Sequence, residues 1–112
     1  MIERPFVAVA KVADLPPGAA RQVTVADRWV GLFNVDGTFH AIDNLCLHRG
    51  GPLADGVVKD CIVTCPWHHW QYDLTSGTLV QDPRVGVTRH ETRIVGEEVQ
   101  VRLADERCFR TS

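Results

Sequence analysis

The chain has 112 residues, 45% hydrophobic and 23% charged, with 12 basic against 14 acidic side chains and a formal net charge of −2. That length holds one compact domain, and the composition supports a core and argues against disorder throughout. The near-balance of charge gives no electrostatic ground for nucleic acid as a partner, and no Lys/Arg run marks a membrane surface.

The N-terminal stretch MIERPFVAVAKV has a five-residue apolar run between Pro5 and Lys11. It is too short for a signal peptide or for the roughly 20 residues of a membrane span, so the expected location is cytoplasmic. Phe6 to Val12 reads as a strand, and ADLPPG as one helical turn ended by a breaker. ARQVTVADRWVGLFNVDGTFHAIDN falls into alternating segments, with Asp36-Gly37 between two of them, a two-residue hairpin signal. GVVKDCIVTC reads as a strand pair, QYDLTSGTLVQ turns at Ser76-Gly77, and TRHETRIVGEEVQVRL makes a last hairpin near Gly96-Glu97. Short strands with frequent turns predict an all-β sandwich or barrel. With no linker or low-complexity segment, residues 1–112 are expected to form a single domain.

Four cysteines could make two disulfides in a secreted chain, but two of them stand beside histidines at metal-like spacing. Cys46-Leu47-His48 is followed, 16 residues on, by Cys65-Pro66-Trp67-His68. Residues two apart in an extended segment face the same side, which brings Cys46 and His48 together. Pro66 starts a turn that does the same for Cys65 and His68. Both pairs fall where strands stop, on loops that a rigid sheet can hold in place. By spacing alone, a tetrahedral zinc site and an iron site are both open. Two features favour iron: the chain has strand material for a core of its own, and Gly50-Gly51 allows backbone amides to approach inorganic sulfide. Cys61 reads as a buried thiol in an apolar strand-like run, and Cys108 as a free thiol near the end. His40 and His90 read as satisfied or solvated side chains, and Trp29 as a core or sheet residue. Of Trp67 and Trp70, one is expected beneath the ligand loop and one near the surface.

Cys-x-His, 16 residues, then Cys-x-x-His resembles the Rieske [2Fe–2S] family, in which two cysteines bind one iron and two histidines the other. CLHRGGPLADG and CPWHHWQYDLTSG look most like its oxygenase-associated ferredoxin branch. The resemblance implies the Rieske fold, an antiparallel β-sandwich with a small cluster-binding subdomain of two loops. It implies one [2Fe–2S] cluster held by Cys46, His48, Cys65 and His68. It also implies an electron carrier rather than an enzyme: a ferredoxin shuttling one electron from a flavin-dependent reductase to a terminal oxygenase of the aromatic-ring dioxygenase type. A complete oxygenase needs a second iron held by two histidines and a carboxylate, and only His40, His69 and His90 remain, on separate segments. Two alternatives stay open. One is a Rieske domain or small subunit of a larger oxidoreductase, such as a ring-hydroxylating oxygenase or nitrite reductase; the other is a zinc-binding structural module.

Departures from the family pattern refine the expectation. The respiratory branch joins its two loops by a disulfide, and the corresponding positions here are Gly51 and Trp67; its sulfide-bonding serine corresponds to Trp70. Tyr72 matches a tyrosine that donates to a cysteine sulfur in that branch, though a packed core tyrosine fits the position equally. His69 stands where glycine is common, and QDPRVG resembles the proline-containing loop over the cluster, with Pro83 as its proline. The missing serine and disulfide imply a potential at the low end of the Rieske range, about −150 mV. Family histidines present one ring nitrogen to solvent, so Arg49, Gly50, Pro52, Trp67 and His69 are expected around the electron's exit.

Overall fold

A computed structural model describes residues 4–46, 51–67 and 69–104. The expectations for His48, Arg49, Gly50, His68 and Cys108 therefore lie outside the described residues. The rest is antiparallel β-structure, as the alternation predicts. Strands β1 (Val7–Lys11), β2 (Ala20–Val25), β3 (Arg28–Val35), β4 (Thr38–Asp43), β8 (Arg89–Val95) and β9 (Glu98–Arg102) form one sheet in the order β1-β9-β8-β4-β3-β2. Its edge strands β1 and β2 contact each other, so the sheet curls toward a barrel. A second sheet holds β5 (Val57–Lys59), β6 (Ile62–Thr64) and β7 (Gln71–Asp73) in that order. The helical turn foreseen in ADLPPG is a 3-10 turn at Val12–Asp14, and a second one covers Leu53–Asp55. No helix of the described residues is long and apolar enough to cross a membrane.

The hairpin turns follow from local chemistry. Asp36 and Gly37 take φ of 53° and 94°, the paired positive values that suit the right-handed twist of the flanking strands β3 and β4. Gly96, with φ of 60°, opens the two-residue turn between β8 and β9. Ala26-Asp27 and Asp60-Cys61 make the same kind of turn without glycine, with φ between 48° and 65°. Each residue with a Cβ there costs about 1–2 kcal/mol. Cys61 is thus a half-buried turn residue between β5 and β6, not a buried strand thiol. The turn signal was masked because neither residue is a glycine.

β3 and β4 are buried on both faces, and their period of two divides the core. Val30, Leu32, Phe39 and Ala41 pack with Leu15, Val23, Val25, Val99 and Val101 inside the curled sheet. One position along, Phe33 and Ile42 face the other way. There they pack with Leu53, Val63, Tyr72, Leu74, Leu79 and Val87, and with both Cys46 and Cys65. Full burial of each such side chain contributes roughly 1.5–3 kcal/mol. The large sheet is therefore the floor on which the small sheet and its two cysteines sit. Trp29 lies in β3, as a sheet residue should, but 53% of it is exposed, so it is no core residue.

Candidate metal centre

Cys46 follows β4 by three residues and Cys65 follows β6 directly, and both are buried in the same core. Each cysteine amide closes its own loop. Cys46 N–H donates to the Gly51 carbonyl at 2.9 Å, and Cys65 N–H donates to the Trp70 carbonyl at 2.7 Å. The loop ends are thereby pinned, whatever side chains lie between them.

The sulfur atoms have donors aimed at them. Tyr72 Oη lies 3.3 Å from Cys46 Sγ, and toward a thiolate only the phenol has a proton to give. Trp67 N–H donates to Cys65 Sγ at 3.4 Å. Burial pushes the Cys65 thiol up, the Trp67 amide pulls it down, and the neighbouring Cys46 thiol pushes it up again. A Cys65 thiolate, buried and facing a second cysteine, is stabilised by a cation, which fits these residues to a metal site. Gly51 shows the same crowding from the opposite loop. A Cβ there would stand 2.8 Å from Cys65 Sγ and 3.2 Å from the Trp67 indole, so only glycine fits.

The structure thus brings together Cys46 and Cys65 of the four expected ligands, while His48 and His68 lie outside the described residues. Among the described residues alone, no group of three or more Cys, His, Asp or Glu side chains is gathered for a metal. Tyr72 satisfies both readings given for it: it is fully buried and its hydroxyl meets Cys46 Sγ. Trp67 is half exposed while Trp70 packs against the core, as expected of the pair. His69 takes a φ of 61°, the left-handed conformation that explains why glycine suits this place. Pro83 is exposed in the turn closed by Val85 N–H on the Asp82 carbonyl. Leu79 and Gln81, rather than Pro83, line the groove beside His69 and Trp70.

Of the remaining histidines, His90 is satisfied, as expected, while His40 departs from that expectation. His90 is fully buried. Its Nδ1 accepts from Ala104 N–H at 3.0 Å, so Nε2 carries the proton and donates to Asp43 Oδ1 at 2.8 Å. Arg28 grips the same carboxylate with two bonds of 2.9 Å. Burial raises the Asp43 carboxyl, but the bonds from His90 and Arg28 outweigh it and hold the group below its usual range. This triad fastens the end of β4, three residues before Cys46, to β3 and β8. His40 is also buried, and its Nδ1 has no hydrogen-bond partner. Burial and then Arg89 lower its pKa, against a smaller upward pull from Asp73.

Comparison with known proteins accords with this geometry. A family model for the Rieske [2Fe–2S] domain matches residues 5–104. The ferredoxin component of the naphthalene 1,2-dioxygenase system of Pseudomonas aeruginosa is 30% identical over 105 residues, covering 93% of this chain and 100% of that protein. Human apoptosis-inducing factor 3 is 34% identical over 100 residues, or 88% of this chain, but the chain spans only 16% of that protein. Among solved structures, the ferredoxin of carbazole 1,9a-dioxygenase from Nocardioides aromaticivorans IC177 aligns with a TM-score of 0.80 at 26% identity, covering 86% of this chain and 95% of that one. A putative NADH-dependent nitrite reductase small subunit from Mycobacterium tuberculosis gives a TM-score of 0.84 at 27% identity, with coverage of 90% and 96%. Two pinned loops, paired buried thiols with donors on their sulfurs, and a family match over nearly the whole chain lead to one conclusion: the chain belongs to the Rieske [2Fe–2S] domain family.

Proposed function

We propose that Cys46, His48, Cys65 and His68 hold one [2Fe–2S] cluster. On this reading the chain is a Rieske-type ferredoxin, carrying one electron from a flavin-dependent reductase to a terminal oxygenase of the aromatic-ring dioxygenase type. The observation that carries the proposal is the meeting of the two loops: Cys46 and Cys65 share one buried core, and Tyr72 Oη and Trp67 N–H face their sulfurs. When bound, such a cluster supplies a one-electron couple. The chain's own part is to hold two thiolates away from water and to offset their negative charge with hydrogen-bond donors. Half-exposed Trp67 gives the second loop an apolar face for a brief partner encounter.

A carrier role rather than an enzymatic one is supported by the match to the whole length of a dioxygenase ferredoxin component. That β3 and β4 serve both cores supports one domain over residues 1–112. A cytoplasmic site of action accords with the likeness to a dioxygenase-system ferredoxin component. The likeness to a nitrite reductase small subunit favours a second reading, in which the same cluster serves that reductase. Anaerobically purified chain, mixed with NADH and the flavoprotein reductase of a ring-hydroxylating system, should bleach by one electron per chain and then support the matching oxygenase. A chain that is reduced but serves only a nitrite reductase would favour the second reading, and a chain that takes up no electron would refute both.

A further inference from the structure

Beside the Asp43 triad, the next residue makes a tie of its own. Asn44 is 1% exposed and stands between β4 and Cys46. Its Oδ1 accepts from Ala54 N–H at 2.6 Å, and its Nδ2 donates to Gln22 Oε1 at 2.6 Å. The orientation is fixed by chemistry: an amide N–H can only donate, so the atom facing Ala54 must be the oxygen. Ala54 lies in the 3-10 turn Leu53–Asp55, which receives the chain as it leaves the first loop at Gly51. The Asn44 side chain therefore spans the base of that loop from its entry stem to its exit stem.

The surroundings are shaped around this tie. A Cβ on Gly31 would stand 3.1 Å from Asn44 Oδ1 and 2.9 Å from the Phe33 ring, so the bare backbone of β3 makes room for the amide. Asn44 N–H is itself held by the Trp29 carbonyl at 3.1 Å. In the 3-10 turn, Asp55 N–H and Gly56 N–H find carbonyls at Pro52 and Leu53, while Ala54 N–H finds only the side chain of Asn44. A second buried asparagine gives a matched comparison. Asn34 bridges the Leu15 carbonyl and Gly37 N–H, both at 2.8 Å, on the other core, away from the cysteines.

We infer that Asn44 is a positioning residue for the cluster: it locks the base of the first ligand loop and so fixes Cys46 against Tyr72 Oη and the second loop. This inference rests on the ligand reading above and deepens it. Asn44 touches no ligand sulfur; it acts through the separation of the two stems, and its loss lets the loop open and the cluster escape.

The test compares the holo wild type with Asn44→Ala, Asn44→Asp and Asn34→Ala. Two quantities are followed well below each melting temperature: the rate at which a chelator removes iron, and hydrogen exchange at the Ala54 amide. Asn44→Ala should lose iron about 10- to 100-fold faster, the usual scale for losing a residue that supports a ligand. Its Ala54 amide should lose protection. Asn44→Asp keeps an acceptor for Ala54 N–H but loses the Nδ2 donor to Gln22 and buries a carboxyl. It should keep much of the Ala54 protection and lose iron at a rate between wild type and Asn44→Ala. Asn34→Ala should lower the melting temperature while its rate of iron loss stays near wild type. If Asn44→Ala does not fold, wild type and Asn44→Asp decide the matter through Ala54 protection. A freely exchanging Ala54 amide in wild type would overturn the inference. So would Asn44→Asp losing iron as fast as Asn44→Ala, or Asn34→Ala matching Asn44→Ala. A wild-type chain that binds no iron would instead overturn the ligand reading, whatever Ala54 does.

Discussion

Tyr72 shows how one side chain can serve packing and chemistry together. Its ring is fully buried in the core that holds the cysteines, and its hydroxyl lies 3.3 Å from Cys46 Sγ. Tyr72→Phe keeps the ring and removes the donor. The reduced state is the more negative one and gains more from that donor, so the variant should have a lower potential with its iron content unchanged. A differential of about 1 kcal/mol is on the order of 40 mV for one electron, readable by a redox titration. The wild type should still titrate near the low end of the Rieske range, about −150 mV, because one phenol offsets only part of what the missing serine and disulfide would supply. His40 makes a prediction about pH. Its pKa is lowered from 6.5, so the unfolded chain takes up a proton before the folded one as pH falls. Stability should therefore decline below about pH 6.5, by at most about 1.4 kcal/mol per unit. His40→Phe removes both the proton site and the orphaned Nδ1. Thermal melts of this variant between pH 7.5 and 5 should show a flatter slope than wild type. The role of Tyr72 was half legible in the sequence, through its motif position. Neither the burial of His40 nor its orphaned nitrogen was legible, because alternation with core residues sets it on the opposite face of β4, which only the second core covers.

At the level of strands and loops, the legible features were those with their own local chemistry. Asp36-Gly37 and Gly96-Glu97 announced their hairpins because glycine adopts positive φ freely. Asp60-Cys61 did not, since its backbone conformation is imposed by the pairing of β5 with β6 and not preferred by its residues. Gly51 and Gly37 predict opposite outcomes for the same substitution. Gly51→Ala puts a methyl group 2.8 Å from Cys65 Sγ and should cost about 1–3 kcal/mol while loosening iron about 10-fold or more. Gly37→Ala meets no atom within 4 Å and has only its φ of 94° against it. It should cost about 1–2 kcal/mol and leave the visible spectrum unchanged. The clamp at the end of β4 was not legible, because it joins Asp43 to His90 across 47 positions and to Arg28 through strand pairing. Asp43→Asn strips the partly buried Arg28 and buried His90 of their anion and should cost about 2–4 kcal/mol at pH 7. Because the Asp43 carboxyl is depressed in the fold, its contribution is complete above its ordinary pKa of 3.8 and is lost as pH falls through the native value. Denaturant titrations should thus show the gap between wild type and variant narrowing below about pH 4.

The whole molecule is organised by two strands that face two cores. β3 and β4 seal the curled sheet with one set of side chains and support the cysteine loops with the other. That double burial explains why the middle of the sequence is so apolar, and why the loops can be placed exactingly by a chain of this size. The β class and the two loops that carry Cys46 and Cys65 were readable because alternation and spacing are local. The pairing of the loops through Gly51, Cys65 and Trp67, and the stems tied by Asn44, needed the fold. The central claim is a single [2Fe–2S] cluster held by two cysteines and two histidines. Its most direct test is iron and acid-labile sulfide analysis of anaerobically purified chain, joined to pulsed EPR of the reduced protein with and without 15N-labelled histidine. The account predicts two iron and two sulfide per chain, and coupling to two histidine nitrogens that changes with the label. A colourless zinc protein, or a cluster whose EPR is indifferent to histidine labelling, would contradict it.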